Sequence, residues 1–143
     1  MIKEIKDAIA SAIHKAYPAC RIFDETVTQG IVPGSFLITL IASARAAGIG
    51  GKYTYDVTFA VQYFPEEDDR KNDCYAMIDS LDDILEQIGI SMPDGSEGAV
   101  WRNKAEPSVI DDVLSYQVRY IVETIRPITG EKMAAADISS AIS

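Results

Sequence analysis

Hydrophobic and polar positions separate most cleanly between Tyr53 and Phe64, in the stretch YTYDVTFAVQYF. Tyr53, Tyr55, Val57, Phe59, Val61 and Tyr63 are apolar or aromatic, while Thr54, Asp56, Thr58, Ala60 and Gln62 between them are small or polar. Side chains alternate across a β-strand, so this period of two predicts a strand with one face on a core and a wetter face opposite. A helical period would mix the two sets. At about 3.3 Å per residue the strand spans roughly 40 Å, about twice the usual length. A strand that long outruns the core of a small domain and leaves an overhang.

The other elements fall around it. Ile2, Ile5, Ile9, Ala12, Ile13 and Ala16 recur at helical spacing, with Lys3, Asp7, Ala10 and His14 on the other side, and Pro18 stops the helix. Arg21 to Phe23 reads as a short strand, and Asp24 to Gly34 as a loop rich in Thr, Gly and Pro. Ser35 to Ala44 is a second strong strand, largely apolar on both faces, which predicts a central place covered on both sides. Arg45 to Lys52 then reads as a flexible, glycine-rich hairpin loop between antiparallel strands.

After Pro65 comes the acidic run Glu66 to Asp69, suited to the positive end of a helix dipole. A helix from Arg70 follows, with the stripe Cys74, Met77, Ile78, Leu81, Ile84, Leu85 and Ile88 and with Gly89 as its stop. Asp94-Gly95-Ser96 and Gly98 mark a loop. Ala99 to Val109 reads as a strand that Pro107 confines to an edge or bulge, and Asp111-Asp112 as a tight turn. Leu114, Tyr116, Val118, Tyr120 and Val122 alternate with Ser115, Gln117, Arg119, Ile121 and Glu123 in the third strong strand, which Pro127 and Gly130 close.

Residues 1–126 thus read as one α+β domain: a mostly antiparallel or mixed sheet of four to five strands with two helices packed on one face. Residues 127–143, rich in Ala and Ser, read as a flexible C-terminal tail. The outer sheet face would carry Thr54, Asp56, Thr58, Gln62, Ser115, Gln117, Arg119 and Glu123, polar enough for water or a partner subunit.

Composition narrows the function classes. With 143 residues, 48% of them hydrophobic, the chain can bury a real core. The net charge of −9 speaks against a protein that grips nucleic-acid phosphates or an anionic membrane surface. No apolar run reaches the ~18 residues of a membrane span, and Met1 leads into an amphipathic helix with no signal-peptide pattern, so a cytosolic protein is expected. Cys20 and Cys74 then read as thiols rather than a disulfide.

Candidate chemistry is thin. His14, the lone histidine, falls on the polar side of the first helix, where it reads as solvated. Zinc ligands do not cluster. Gly48 to Lys52 (GIGGK) fails as a phosphate loop, because Tyr53 replaces the required Ser or Thr and a strand follows instead of a helix. Glu66 to Asp69 lacks the spaced ligands and turn glycine of a calcium loop. Trp101, Arg102 and Lys104 set one aromatic beside two cations, too little for a nucleic-acid surface on so acidic a chain. These residues predict no catalytic site, no metal and no cofactor.

One resemblance does emerge. Thr26-Val27-Thr28-Gln29-Gly30 followed by Phe36-Leu37-Ile38 resembles the start of a group of small phage and prophage proteins, the tail terminators. Tyr55, Phe59, Val61 and Tyr63-Phe64-Pro65 are similar to that group's long strand, and Asp111-Asp112-Val113-Leu114 with Tyr120 to its last hairpin. The resemblance covers roughly residues 1 to 126. The Asp111-Asp112 turn, where Asp-Gly is expected, and the Ala-rich loop before Lys52 depart from it.

The resemblance implies a structural protein that forms a ring, commonly a hexamer. Such a ring caps the tail tube, stops its growth and offers the surface that joins the head. Implied partners are further copies of itself, the tail tube protein and a head-tail connector protein. The implied location is the virion tail, with assembly in the host bacterial cytoplasm. For subunit or tube contacts the overhang and polar face put forward Arg45, Lys52, Asp56, Arg119 and Glu123. Two other classes stay open: a small cytosolic ligand- or protein-binding α+β domain without catalysis, and a hydrolase using acidic residues.

Overall fold

The computed structural model of the protein describes residues 1–24, 32–66, 69–92 and 94–125. Thr26 to Gly30, most of the Asp24 to Gly34 loop, Glu67, Asp68, Pro127, Gly130 and the 127–143 tail lie outside the described residues. The elements run α1 (Ile2–Ala16), β1 (Ile22–Asp24), β2 (Ser35–Ala47), β3 (Lys52–Phe64), α2 (Arg70–Ile84), β4 (Gln87–Ser91), β5 (Glu97–Ile110) and β6 (Val113–Ile125). One six-stranded sheet has the order β1-β2-β3-β6-β5-β4. Only β1 and β2 pair in parallel; every other neighbour is antiparallel. The class is α+β, as the sequence predicts, with six strands instead of four to five.

The extra strand comes from the end of the second helix. Ile88 and Gly89 belong to β4, not to α2, which stops at Ile84 with Leu85 N–H closing on Leu81 O at 2.9 Å. Leu81, Leu85 and Ile88 happen to keep helical spacing, so one stripe runs on through two elements. The period changes to two at β4, where Ile88 and Ile90 are buried and Gln87, Gly89 and Ser91 are exposed. Gly98, expected in a loop, pairs with Ile90 inside β5.

β2 also differs from expectation. Arg45 to Ala47 belong to the strand, and the connecting turn shrinks to Gly48–Gly51. Gly48 N–H donates to Lys52 O at 2.7 Å, and Gly50 and Gly51 turn the chain at φ of 73° and 78°, a region open to glycine. The predicted cover on both faces is absent: Leu37 is half-buried, Ile41 is half-exposed, and every residue from Ile41 onward is exposed. The Asp111-Asp112 turn holds as a two-residue hairpin, flanked by the pair Ile110 and Val113. Both aspartates have positive φ, the geometry of the primed turns that suit strand twist. Pro107 lies in the part of β5 that has β6 on one side and no described strand on the other.

The core lies between the sheet and the two helices. α1 contributes Ile5, Ile9 and Ile13, and α2 and its end contribute Cys74, Met77, Leu81 and Leu85. They meet Phe36 and Ile38 of β2, the odd residues Val57 to Tyr63 of β3 and the even residues Leu114 to Val122 of β6. Leu40 is only partly buried at the margin. Core tyrosines tie α2 down through their hydroxyls. Tyr63 donates to Asp73 at 2.9 Å, Tyr116 to Asp82 at 2.6 Å and Tyr120 to the Leu85 carbonyl at 2.6 Å. Burial raises the pKa of all three phenols, reinforced at Tyr63 by Asp73 and at Tyr116 by Asp82.

Phe59 is 1% exposed at the centre of this core. Phe59→Ala should therefore cost about 3–5 kcal/mol in denaturant unfolding, the transfer loss plus the cavity left behind. A cost below ~1 kcal/mol would mean that the opposite face of β3 is the buried one.

Candidate functional site

The feature that stands apart from the core is the far end of the β2–β3–β6 sheet. A β-bulge interrupts the β2–β3 register between Leu40 and Ala42. It exchanges the faces of β2, because one extra residue reverses the alternation. Before it, Phe36, Ile38 and Leu40 share the helix side with Tyr63, Val61 and Phe59. After it, Ser43, Arg45 and Ala47 take that side, opposite Val57, Tyr55 and Tyr53, while Ala42, Ala44 and Ala46 lie opposite Thr58, Asp56 and Thr54. On β2 the large apolar side chains thus end at the bulge, and every β2 residue after it is exposed. The strands continue as a projection ending at Ile49, which is 96% exposed.

The five residues put forward from the sequence all lie on this projection or at its base, but not on one face. Arg45 is on the helix side, its guanidinium 4.9 Å from the centre of the Tyr53 ring. Lys52, Asp56, Arg119 and Glu123 share the outer face and pair within the chain. Arg119 Nε and Nη2 donate to the two Asp56 oxygens at 2.8 and 2.6 Å, a bidentate bridge between adjacent strands. Lys52 Nζ lies 3.0 Å from Glu123 Oε1. Arg119 also borders a shallow outer-face cavity of about 250 Å³, beside Ile41, Thr58, Lys104 and Gln117. Trp101, Arg102 and Lys104 do not form one patch. Trp101 is exposed, Lys104 pairs with Glu106, and Arg102 donates to Tyr116 Oη and the Asp82 carbonyl.

Sequence reasoning missed the polar contacts that hold α2, the Tyr116–Asp82–Arg102 group among them. The available signal was three tyrosines among core-facing strand positions, since a buried hydroxyl seeks a partner. His14 is exposed on α1, Cys20 is half-buried and Cys74 is buried, and both thiols are free. Among the described residues no group of three or more His, Cys, Asp or Glu side chains could hold a metal ion. A second concavity of about 630 Å³ lies between α1 and β4, lined by small side chains such as Ala8, Ser11, Ala12 and Gly89.

The Arg119 hydrogen bonds hold the Asp56 carboxyl below its usual 3.8, and Asp56 in turn raises Arg119. A carboxyl depressed on folding contributes stability that is whole above its unfolded pKa and lost as pH falls through the folded one. Asp56→Asn should therefore lower the thermal midpoint slightly at neutral pH, with the gap closing in acid below 3.8. A carbon-detected NMR titration of Asp56 with its midpoint at or above the ordinary value would break this link.

Three comparisons place the chain. A search of curated proteins finds no match. A chain in the virion of a native gene transfer agent particle aligns with a TM-score of 0.51 at 14% identity, over 85% of this chain and 96% of that one. At that identity the likeness shows a shared fold. The model of the family described as phage tail terminator protein matches residues 4–132, from α1 to beyond the end of β6, and the chain belongs to that family of phage tail proteins.

Proposed function

We propose that the protein ends the growth of a phage tail. Copies of it form a ring on the finished tail tube, cap the tube against further addition, and present the surface on which the head is joined. It does so by contact, without catalysis, and works as part of the virion tail after assembly in the host cytoplasm. The family match over residues 4–132 carries this reading. The projection supports it, because it offers surface that the core does not need. Its partners are further copies of itself, the tube protein and a head-tail connector protein, and Arg45, Lys52, Asp56, Arg119 and Glu123 lie where such contacts form.

The test is tube capping. Tubes polymerised without the protein should run to variable length, and adding it should arrest them with density at one end in negative-stain images. Tubes that grow equally in its presence would overturn the reading. A charge swap, Asp56→Arg with Arg119→Asp, keeps the internal pair while reversing its pattern on the outer face. Capping should fall while the thermal midpoint moves by only a few degrees, as for a surface change. Capping at the wild-type level would remove this pair from the contact.

A further inference from the structure

We infer that two copies of this chain join by strand addition, the free edge of β2 from Ser43 to Ala47 in one copy laid against the free edge of β6 from Ile121 to Ile125 in the next. The inference rests on the ring reading and names the surfaces that would build it. Both edges are visible in the pairing. β1 covers β2 only at Phe36, Leu37 and Ile38. β5 leaves β6 after the Arg102–Tyr120 pair and continues beside β4. Among the described residues, the projection is therefore a three-stranded sheet unpaired on both sides.

Backbone direction follows from one hydrogen bond. Gly48 N–H donates to Lys52 O, so the even residues Ala42 to Gly48 turn their peptide groups toward β3. By period two, Ser43, Arg45 and Ala47 turn theirs outward. Lys52 and its even neighbours face β2, so Tyr53, Tyr55 and Val57 face β6, where they pair with Thr124, Val122 and Tyr120. That leaves Ile121, Glu123 and Ile125 with outward-facing N–H and C=O groups. The two edges lie at the same height, since Ala47, Tyr53 and Thr124 form one row and Ala44, Asp56 and Ile121 another.

The other edges are closed or blunted. β1 is three residues long and β4 five. The outer edge of β5 carries Lys104, Glu106 and Pro107, the devices that discourage pairing. The free part of β2 has no Lys or Pro and a single charge, Arg45. Exposed isoleucines gather at the same end: Ile41, Ile49, Ile121 and Ile125. The occupant that fits is a second copy. β2 and β6 both run antiparallel to β3 and hence parallel to each other, so a copy turned about an axis along the strands presents its β2 to this β6 in parallel. Such a contact is head-to-tail and closes only as a ring or grows as a filament.

Proline at an outward position tests this, because it removes an edge donor while leaving the pairing with β3 intact. Arg45→Pro and Ile121→Pro should each keep the fold by circular dichroism and weaken self-association, free or on tubes, about tenfold or more. Arg45→Ala, which loses the same side chain but retains the N–H, should weaken self-association far less than Arg45→Pro does. A mixture of the two proline variants should stop at dimers, since each retains one intact edge. Amide exchange at Ser43, Arg45, Ala47, Ile121, Glu123 and Ile125 should be fast in the monomer and slowed in the assembly, a readout that survives a proline variant that fails to fold.

Slow exchange already in the monomer would mean that the chain's own residues cover these edges. That result would overturn the inference, as would unchanged rings of Arg45→Pro. Rings of Arg45→Pro that still cap tubes would leave the terminator reading standing. Edge-paired wild-type protein that fails to cap tubes would remove that reading and leave the edges.

Discussion

The structure depends on a mismatch of length between its two layers. Each helix has 15 residues, which at about 1.5 Å per residue covers roughly 22 Å. β3 has 13 residues, which at about 3.3 Å per residue reaches roughly 43 Å. Even a helix laid along the strand shields about half of it. The sequence accommodates the uncovered half residue by residue. Val57, Phe59, Val61 and Tyr63 are buried, and Tyr53 and Tyr55, which tolerate one wet end, are half-buried beside the buried Thr124 and Val122 of β6. In β2 the bulge at Ile41 and the small residues after it do the same.

The exposed outer face of the sheet needs other restraints. On the outer face these are ion pairs between strands, Asp56 with Arg119 and Lys52 with Glu123. Exposed pairs of this kind contribute little to stability. Their geometry matters more, since a bidentate bridge helps fix the β3–β6 register. On the helix side, the tyrosine hydroxyls fix α2 against the sheet at Asp73, Asp82 and the Leu85 carbonyl. α2 is thereby tied to the sheet, and the projection adds its own backbone ladder and the ion pairs on its outer face.

This division explains what the sequence reveals. β3 and β6 are legible because one face of each is buried along most of its length, and burial imposes alternation. The end of β2 is not, because Ala44-Arg45-Ala46-Ala47 packs against no core and shows no pattern of its own. The bulge is silent for the same reason: nothing apolar marks the change of face. β4 is hidden by coincidence, as Ile88 continues the helical stripe of Leu81 and Leu85 past the end of α2. Of the candidate site, the outer face with Asp56, Arg119 and Glu123 is legible from alternation, whereas the place of Arg45 on the helix side depends on the bulge. The intrachain partners of Asp56 and Lys52 depend on the strand order β3 beside β6, which no local pattern encodes.

The energetics of edge pairing bear on when a ring would form. Three outward residues on β2 and three on β6 supply roughly four to six interstrand hydrogen bonds, each worth about 0.5–1.5 kcal/mol net. The total is of the same order as the ~4–15 kcal/mol lost in immobilising a free subunit, so edges alone leave a single contact weak in dilute solution. Closing a ring adds one contact without immobilising a further subunit, and a tube end that holds several subunits at once raises their effective concentration. Edges that pair poorly between free copies would then pair well on a template. A terminator built this way would assemble where a finished tube waits for it and stay largely dispersed elsewhere. Blunting the other edges with Pro107 and charge would keep such an association confined to one direction.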